Sequence, residues 1–308
     1  MESNFNPLED AKAIKQSITK PRNLNSLIQI VAHRSNAQRQ EIKKEYFNLY
    51  QKNLIEDLRS ELKGNFEELI VSLFYTPIDF DCYQLHKAMD RLGTNEDTLI
   101  EILASRSNEE IRKIKQRYFD LYNKELIKDV EGDTSGYFRQ ILLKLLQANR
   151  SENPYPDEKE CIDCARKIYT SMTKEKKEVM QNTFQHVFTL KSREELALIA
   201  KKYYSWYNDT LIDIIRSKFK SDTKRIFKAI IYSILSPSEY FAYRINKAIK
   251  KLGTNDTILI RIIVSRDEID MYRIKRYYKQ LYNNSLYDDV KKDTSGDYRN
   301  LLLEIIGK

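Results

Sequence analysis

Cysteines and histidines are the residues of this chain whose types best suit metal binding or catalysis. Cys161 and Cys164 form a C-x-x-C pair, but no second pair and no neighbouring histidine completes a zinc site. Their spacing also suits one face of an amphipathic helix, which is the interpretation we favour. His33, His86 and His186 share no motif with a nucleophile, and neither a phosphate-binding loop nor a dinucleotide fingerprint occurs. The sequence therefore predicts that the protein is not an enzyme.

Binding of an anionic partner is the other chemistry that the residues suggest. The formal net charge is +8, and residues 201–250 hold 11 Lys/Arg against 4 Asp/Glu. We call the densest part of this segment the basic cluster, and it consists of Arg216, Lys218, Lys220, Lys224, Arg225 and Lys228. Such a cluster is typical either of a solvated helix face or of a surface for a membrane, an anionic sugar or a nucleic acid.

The elements that position these residues form a fourfold repeat. Four segments that begin with Ile and end with Tyr align with one another, and their closing tyrosines are separated by 72, 85 and 75 residues. A cation that ends a hydrophobic run recurs at the same offsets, at Arg34, Arg106, Lys191 and Arg266. Two markers with identical spacing predict four homologous copies of one structural unit.

Helix breakers are rare and fall at equivalent joints. The 308 residues include only 7 Gly and 6 Pro, and Gly64, Gly136 and Gly296 occupy matching positions. Breakers confined to joints indicate that the intervening residues are helical. We therefore predict an all-α fold of four repeats with about five helices each.

The repeat spacing sets the predicted boundaries. We expect a short N-terminal head over 1–8, repeat 1 over 9–76, repeat 2 over 79–148, a linker over 149–157, repeat 3 over 158–235 and repeat 4 over 238–307. No apolar run approaches the length of a membrane span, and the first residues lack the pattern of a signal peptide. The expectation is a cytoplasmic protein without a large regulatory head.

Repeat 2 shows the expected helices most clearly. Its first helix is predicted from Phe80 to Arg91, and Thr94 is the expected N-cap of the second. A short fourth helix is predicted from Leu126 to Val130, with Asp133 in the loop that follows.

Several motifs of the chain resemble those of annexins. The residues that carry the resemblance include Gly93-Thr94-Asn95-Glu96, Asp133-Thr-Ser-Gly136, Gly253-Thr-Asn-Asp256 and Asp293-Thr-Ser-Gly296. The match extends over nearly the whole chain. It implies four five-helix repeats arranged as a slightly curved disc, with calcium sites that bridge to phospholipid headgroups.

The resemblance also implies a ligand set for Ca²⁺. In the family, backbone carbonyls of the first interhelical loop and one carboxylate about forty residues later hold the ion, which prefers about seven oxygens. The matching residues are Met89, Arg91, Gly93 and Asp133 in repeat 2, and Ile249, Lys251, Gly253 and Asp293 in repeat 4. Arg91 and Lys251 replace a glycine of the family pattern, so we expect weakened calcium affinity at both sites.

Repeats 1 and 3 depart from this pattern. In repeat 1 the acid position holds Glu61, but the loop over residues 19–23 has no glycine and is predicted to be one residue short. In repeat 3 the acid position holds Lys218, which cannot bind calcium. We therefore expect no main calcium site in either repeat, and we expect Lys218 and Lys220 to contact lipid or another polyanion directly.

The resemblance thus implies calcium-dependent peripheral binding to anionic phospholipid membranes. The alternative is a calcium-independent scaffold that binds cytoskeleton or anionic glycans through the basic repeat 3. A nucleic-acid module is disfavoured because Tyr46, Tyr118, Tyr203 and Tyr277 are predicted to be core residues, whereas stacking platforms are exposed.

Overall fold

A computed structural model describes residues 5–90, 93–173, 176–250 and 253–307 of the chain. Within these residues the secondary structure consists of nineteen helices, and no strand occurs. The predicted all-α fold is therefore confirmed. Among the described helices, none combines the length and the apolarity that crossing a bilayer requires.

Helices α1 to α10 cover repeats 1 and 2. Their bounds are α1 Pro7–Ile18, α2 Leu24–Ala32, α3 Asn36–Tyr50, α4 Leu54–Glu61, α5 Gly64–Leu73, α6 Pro77–Met89, α7 Glu96–Ser105, α8 Asn108–Tyr122, α9 Leu126–Asp133 and α10 Gly136–Leu146. The two repeats thus have the same order of five helices.

Helices α11 to α19 cover repeats 3 and 4. Their bounds are α11 Glu158–Thr173, α12 Lys177–Leu190, α13 Arg193–Tyr207, α14 Leu211–Lys218, α15 Ser221–Leu235, α16 Pro237–Ile249, α17 Asp256–Tyr282, α18 Leu286–Asp293 and α19 Gly296–Ile306. Helix α17 spans the positions of two helices in the other repeats, and its backbone leaves helical geometry only at Asp270.

The kink in α17 accompanies a change of partner for the cation that recurs in every repeat. In repeat 2, Arg106 at the end of α7 donates to both carboxylate oxygens of Asp81, at 2.6 and 2.7 Å. The matching cation in repeat 4 is Arg266, but Phe241 takes the place of the aspartate. Arg266 stacks on that ring and donates to Asp270 at 2.7 Å, four residues along its own helix. Asp270 is also the residue at which α17 leaves helical geometry, so this pairing lies at the kink between the two helical segments.

The chain divides into two compact units. The first consists of Met1–Phe80 and Phe241–Lys308, and therefore contains repeats 1 and 4. Within it, α2 packs against α19 and α5 packs against α17.

The second unit, Asp81–Tyr240, contains repeats 2 and 3. Within it, α7 packs against α15 and α10 against α12. The predicted linker is part of this unit and packs on repeat 3, since Arg150 donates to the carbonyls of Phe188 and Lys191, both at 2.6 Å.

Each repeat buries one equivalent tyrosine, which lies in α3, α8, α13 and α17. The buried residues, at most 2% exposed, are Tyr46, Tyr118, Tyr203 and Tyr278. The prediction of Tyr277 as the fourth member was wrong by one position, because the repeat offset of 75 from Tyr203 leads to Tyr278. In three repeats the hydroxyl donates to an aspartate of the following short helix at 2.7 Å, in the pairs Tyr46–Asp57, Tyr118–Asp129 and Tyr278–Asp289.

The C-x-x-C pair lies on the buried face of α11. Cys161 and Cys164 are free thiols, and burial raises the pKa of Cys161 to about 11. A thiol with this pKa is almost entirely protonated at neutral pH and is a poor metal ligand or nucleophile. The pair therefore contributes to packing, as the helical spacing predicted.

Candidate calcium-binding loops

The first candidate site lies between α6 and α7 in repeat 2. Helix α6 ends at Met89, and the side chain of Asn95 caps α7 by accepting from the backbone N–H of Thr98. The prediction of Thr94 as the N-cap was therefore wrong by one residue. The Thr94 hydroxyl instead contacts the carbonyl oxygen of Asp133 at 2.8 Å and its carboxylate Oδ2 at 3.2 Å. This side chain joins the loop to the candidate acid, 39 residues along the chain.

The second candidate site repeats this arrangement between α16 and α17. The hydroxyl of Thr254 donates to the carbonyl oxygen of Asp293 at 3.2 Å. The loop closes in the same way in both copies. The backbone N–H of Asn95 donates to the carbonyl of Ala88, and the backbone N–H of Asn255 donates to the carbonyl of Ala248, each at 2.9 Å. Asp133 is half-buried, whereas Asp293 is exposed.

Both loops require glycine for a backbone reason. Gly93 has φ +90° and Gly253 has φ +83°, which are values that side chains rarely permit. A Cβ atom added at either position would meet nothing within 4 Å, so crowding is not the constraint. Among the described residues, no backbone N–H donates to the carbonyl of Met89, Ile249 or either glycine. These carbonyl oxygens therefore fit the role of metal ligands.

The two acids are anchored more firmly than the sequence suggested. Asp133 and Asp293 are the last residues of α9 and α18, whereas the sequence predicted Asp133 in a loop. The next residue in each copy is a buried threonine, and its hydroxyl donates to a carbonyl one turn back in the helix, at 2.5 Å from Thr134 and 2.6 Å from Thr294. These threonines fix the end of the helix, and with it the carboxylate.

An arginine fixes the same turn from the other side. Arg139 donates to the carbonyl of Thr134, and Arg299 donates to that of Thr294. The contact of these arginines with the helix end was not predicted from the sequence. The sequence feature that could have indicated it is their common spacing, since each arginine follows its acid by six residues.

Two of the predicted ligands, Arg91 and Lys251, lie outside the described residues. The described residues contain no group of three or more His, Cys, Asp or Glu side chains that could hold a metal ion. A site of the kind implied here draws on one carboxylate together with backbone carbonyls, so it does not need such a cluster.

Repeat 1 carries an ion pair at the matching position. Glu61 is the last residue of α4, and its Oε2 accepts from Arg22 Nη2 at 2.6 Å. This hydrogen bond lowers the pKa of Glu61 from its ordinary value. The loop is closed by Asn23, which donates to Ser17 six residues back, whereas the corresponding bonds in repeats 2 and 4 span seven. The loop is therefore one residue shorter, as the sequence predicted.

Repeat 3 carries a cation at the same position. Lys218 is the last residue of α14, and Lys220 is the residue before α15; both are exposed. Within the described part of the chain, neither forms an ion pair. Other members of the basic cluster are engaged, since Arg216 bonds Asp213 at 3.0 Å and Arg225 lies 3.2 Å from Asp97. The cluster is therefore partly a set of paired surface charges.

Comparisons with known proteins match most of the chain to one family. The family model described as Annexin matches residues 9–73, 80–145 and 240–305. Human annexin A7 is 36% identical over 307 residues, which are 99% of this chain and 63% of annexin A7. The chain thus spans about three fifths of the length of that relative.

Solved structures extend the agreement to the fold. The structure described as annexin III has a TM-score of 0.95 and 37% identity, over 99% of this chain and 95% of that one. A calcium-bound annexin (Sm)1 has a TM-score of 0.87 and 28% identity, over 99% and 91%. By its sequence, its family match and its fold, this chain belongs to the annexin family.

Proposed function

We propose that this protein binds anionic phospholipid membranes peripherally when calcium is present, through the loops of repeats 2 and 4. Annexins as a family bind phospholipid in a calcium-dependent way, and they are generally not enzymes. The observation that carries the assignment to particular loops is the contact of Thr94 and Thr254 with the two acids, Asp133 and Asp293. Among the residues that the structure describes, the other two repeats show no such contact, and they hold cations near the acid position.

The residues of the two loops have separate tasks. The carbonyls of Met89 and Gly93, with the carboxylate of Asp133, would hold the ion in repeat 2, and Ile249, Gly253 and Asp293 would do so in repeat 4. Arg91 and Lys251 are proposed to contribute carbonyls only. When bound, Ca²⁺ would supply positive charge that attracts a lipid phosphate.

The chain pre-positions these oxygens before any ligand is present. Positive φ at Gly93 and Gly253 turns the loop, and the threonine hydroxyl holds it against the end of the acid-bearing helix. Oxygens that are already in place lose less conformational entropy on binding. A cytoplasmic location, with membrane association when calcium rises, follows from this proposal.

The proposal is tested with Asp133→Asn and Asp293→Asn together. We expect the double variant to lose most calcium-dependent co-sedimentation with phosphatidylserine vesicles. In EGTA the free energy of unfolding should change by less than about 0.5 kcal/mol, because neither acid forms an ion pair among the described residues. Glu131→Gln, an exposed acid two residues before Asp133, is the matched control. Sedimentation that persists in the double variant would refute the assignment to these loops.

A second candidate function is supported by repeat 3. Lys218 and Lys220 are exposed and occupy the loop that carries the acid in other repeats. Cations near an anionic leaflet contribute about 1 kcal/mol each at low salt. We therefore propose a weak calcium-independent attachment to lipid or another polyanion such as a glycan or a cytoskeletal surface. Charge reversal of both lysines should reduce vesicle or heparin binding in EGTA at low salt, and unchanged binding would exclude this role.

A further inference from the structure

A polar cavity lies in the first unit, where loops of repeats 1 and 4 meet. Its volume is about 570 Å³, which is within the usual range for small-ligand sites. The walls include Arg22, Glu61 and Lys63 from repeat 1, and Asp297 and Tyr298 from repeat 4. Asn65, which also lines it, donates to Asp256 of α17 at 2.6 Å and ties the two repeats together at this point.

The charges around this cavity are balanced but only half of them are paired. Arg22 and Glu61 neutralise each other through the bond described above, at the position where repeats 2 and 4 have a candidate calcium acid. Lys63 and Asp297 line the same space, and neither forms an ion pair within the residues that the structure describes. The four formal charges sum to zero, so the cavity suits a zwitterion better than a simple anion.

The two unpaired charges lie at different helix ends. Lys63 immediately precedes α5, and no side chain caps the first N–H groups of that helix. Uncapped N–H groups beside a cation favour a phosphate. Asp297 lies in the first turn of α19, where its carboxylate can receive an ammonium group.

Tyr298 adds a buried polar group to this wall. It is 8% exposed, and its hydroxyl makes no well-aligned hydrogen bond. Burial, together with the nearby carboxylate of Asp256, raises the pKa of this tyrosine. The hydroxyl therefore keeps its proton at neutral pH, beside the carboxylate of Asp256.

We propose that this cavity binds a phosphate group that carries a primary ammonium, of the phosphoethanolamine type, without calcium. The phosphate lies against Lys63 and the start of α5, and the ammonium lies against Asp297. Arg22 holds Glu61 in place of a metal ion. This site goes beyond the proposed function, because it uses repeat 1 and requires no calcium.

The test uses O-phosphoethanolamine and inorganic phosphate, titrated by NMR or calorimetry in EGTA. We expect Lys63→Gln to weaken binding of both compounds at least tenfold. Asp297→Asn should weaken binding of phosphoethanolamine by a similar factor but leave inorganic phosphate unaffected. Lys44→Gln is the matched control and should leave both affinities unchanged, because Lys44 is an exposed lysine of α3 that is not among the residues lining the cavity.

The source of the ligand is distinguished by vesicles of phosphatidylcholine with and without phosphatidylethanolamine, again in EGTA. If the protein is retained only by vesicles that contain phosphatidylethanolamine, the ligand is a lipid headgroup. If the protein binds free O-phosphoethanolamine but neither kind of vesicle, the ligand is a soluble phosphoethanolamine. Absence of phosphoethanolamine binding, or equal binding by Asp297→Asn, would overturn the proposal. Because all of these measurements exclude calcium, their failure is independent of the calcium-dependent function.

Discussion

The hydroxyl of Thr94 offers the sharpest test of how the loop and the acid act together. Thr94→Val keeps the shape of the side chain and removes the hydrogen bond to Asp133. We expect the calcium concentration for half-maximal vesicle binding through repeat 2 to rise about tenfold. Thr254→Val removes a single longer contact with a backbone oxygen, so its effect on repeat 4 should be smaller, about twofold to threefold.

The magnitude follows from the two contacts of the Thr94 hydroxyl. One hydroxyl proton is shared between the Asp133 carbonyl at 2.8 Å and the carboxylate at 3.2 Å, so at most one bond with partial ionic character is lost. A hydrogen bond to a charged group contributes about 1.5–3 kcal/mol and a neutral one about 0.5–1.5 kcal/mol. We take about 1.4 kcal/mol, which is tenfold in affinity. Loss of groups that orient metal ligands typically costs about 10–100-fold.

The assay isolates one site at a time. Asp293→Asn leaves the repeat 2 site, and Thr94→Val is added to that background. Asp133→Asn leaves the repeat 4 site, and Thr254→Val is added there. Co-sedimentation with phosphatidylserine vesicles is measured across a calcium series, and urea unfolding in EGTA is measured in parallel.

Two results would refute this reasoning. If Thr94→Val lowers the free energy of unfolding but leaves the calcium midpoint unchanged, the hydroxyl stabilises the fold without positioning the acid. If Thr254→Val has the larger effect, the difference in contacts between the two loops does not control affinity.

Two further predictions concern buried ionisable groups. Tyr118→Phe should lower the free energy of unfolding by about 1–2 kcal/mol, because it removes the hydrogen bond to Asp129. Tyr203→Phe should change the free energy of unfolding little, because the Tyr203 hydroxyl makes no hydrogen bond among the described residues. Equal losses of the two variants in urea titrations would contradict this prediction. Burial raises the pKa of Asp267 from 3.8 to about 6, although Arg39 opposes the shift. The native state therefore binds the Asp267 proton more tightly than the unfolded state does. The contribution of Asp267 to the free energy of unfolding should fall by about 1–2 kcal/mol as pH rises from about 4 to about 6. Asp267→Asn should remove that part of the pH dependence, and identical pH profiles of the two proteins would count against it.

Repeat spacing was enough to predict the helical fold, whereas the pairing of the two glycine loops with Asp133 and Asp293 came from the resemblance to annexins. Prediction from the sequence failed where two neighbouring residues are both suited to be the N-cap of one helix. Thr94 and Asn95 are both suitable N-caps, but asparagine is the stronger one. The threonine hydroxyl is therefore available for Asp133, a contact across 39 residues that local pattern does not reveal.

Replacement of the partner of one repeat marker has consequences beyond the replaced position. Arg266 was predicted as the counterpart of Arg106. Its carboxylate partner differs because Phe241, on a different helix, stands at the position of Asp81. An arginine that loses its carboxylate must find another, since an unpaired buried charge is costly. Arg266 finds Asp270, and the boundary between two helices becomes a kink within α17.

The acid position shows how one backbone supports different ion chemistry. In repeats 2 and 4 an aspartate lies beside a loop of carbonyls, and it has no cation of its own among the described residues. In repeat 1 the loop is shorter, and Arg22 supplies the positive charge that the acid requires. In repeat 3 the acid is absent and Lys218 carries the positive charge itself. Under the proposed function, each repeat presents positive charge at this position, and repeats 2 and 4 alone depend on a diffusible ion to do so. For this reason, calcium control is expected to be confined to those two repeats.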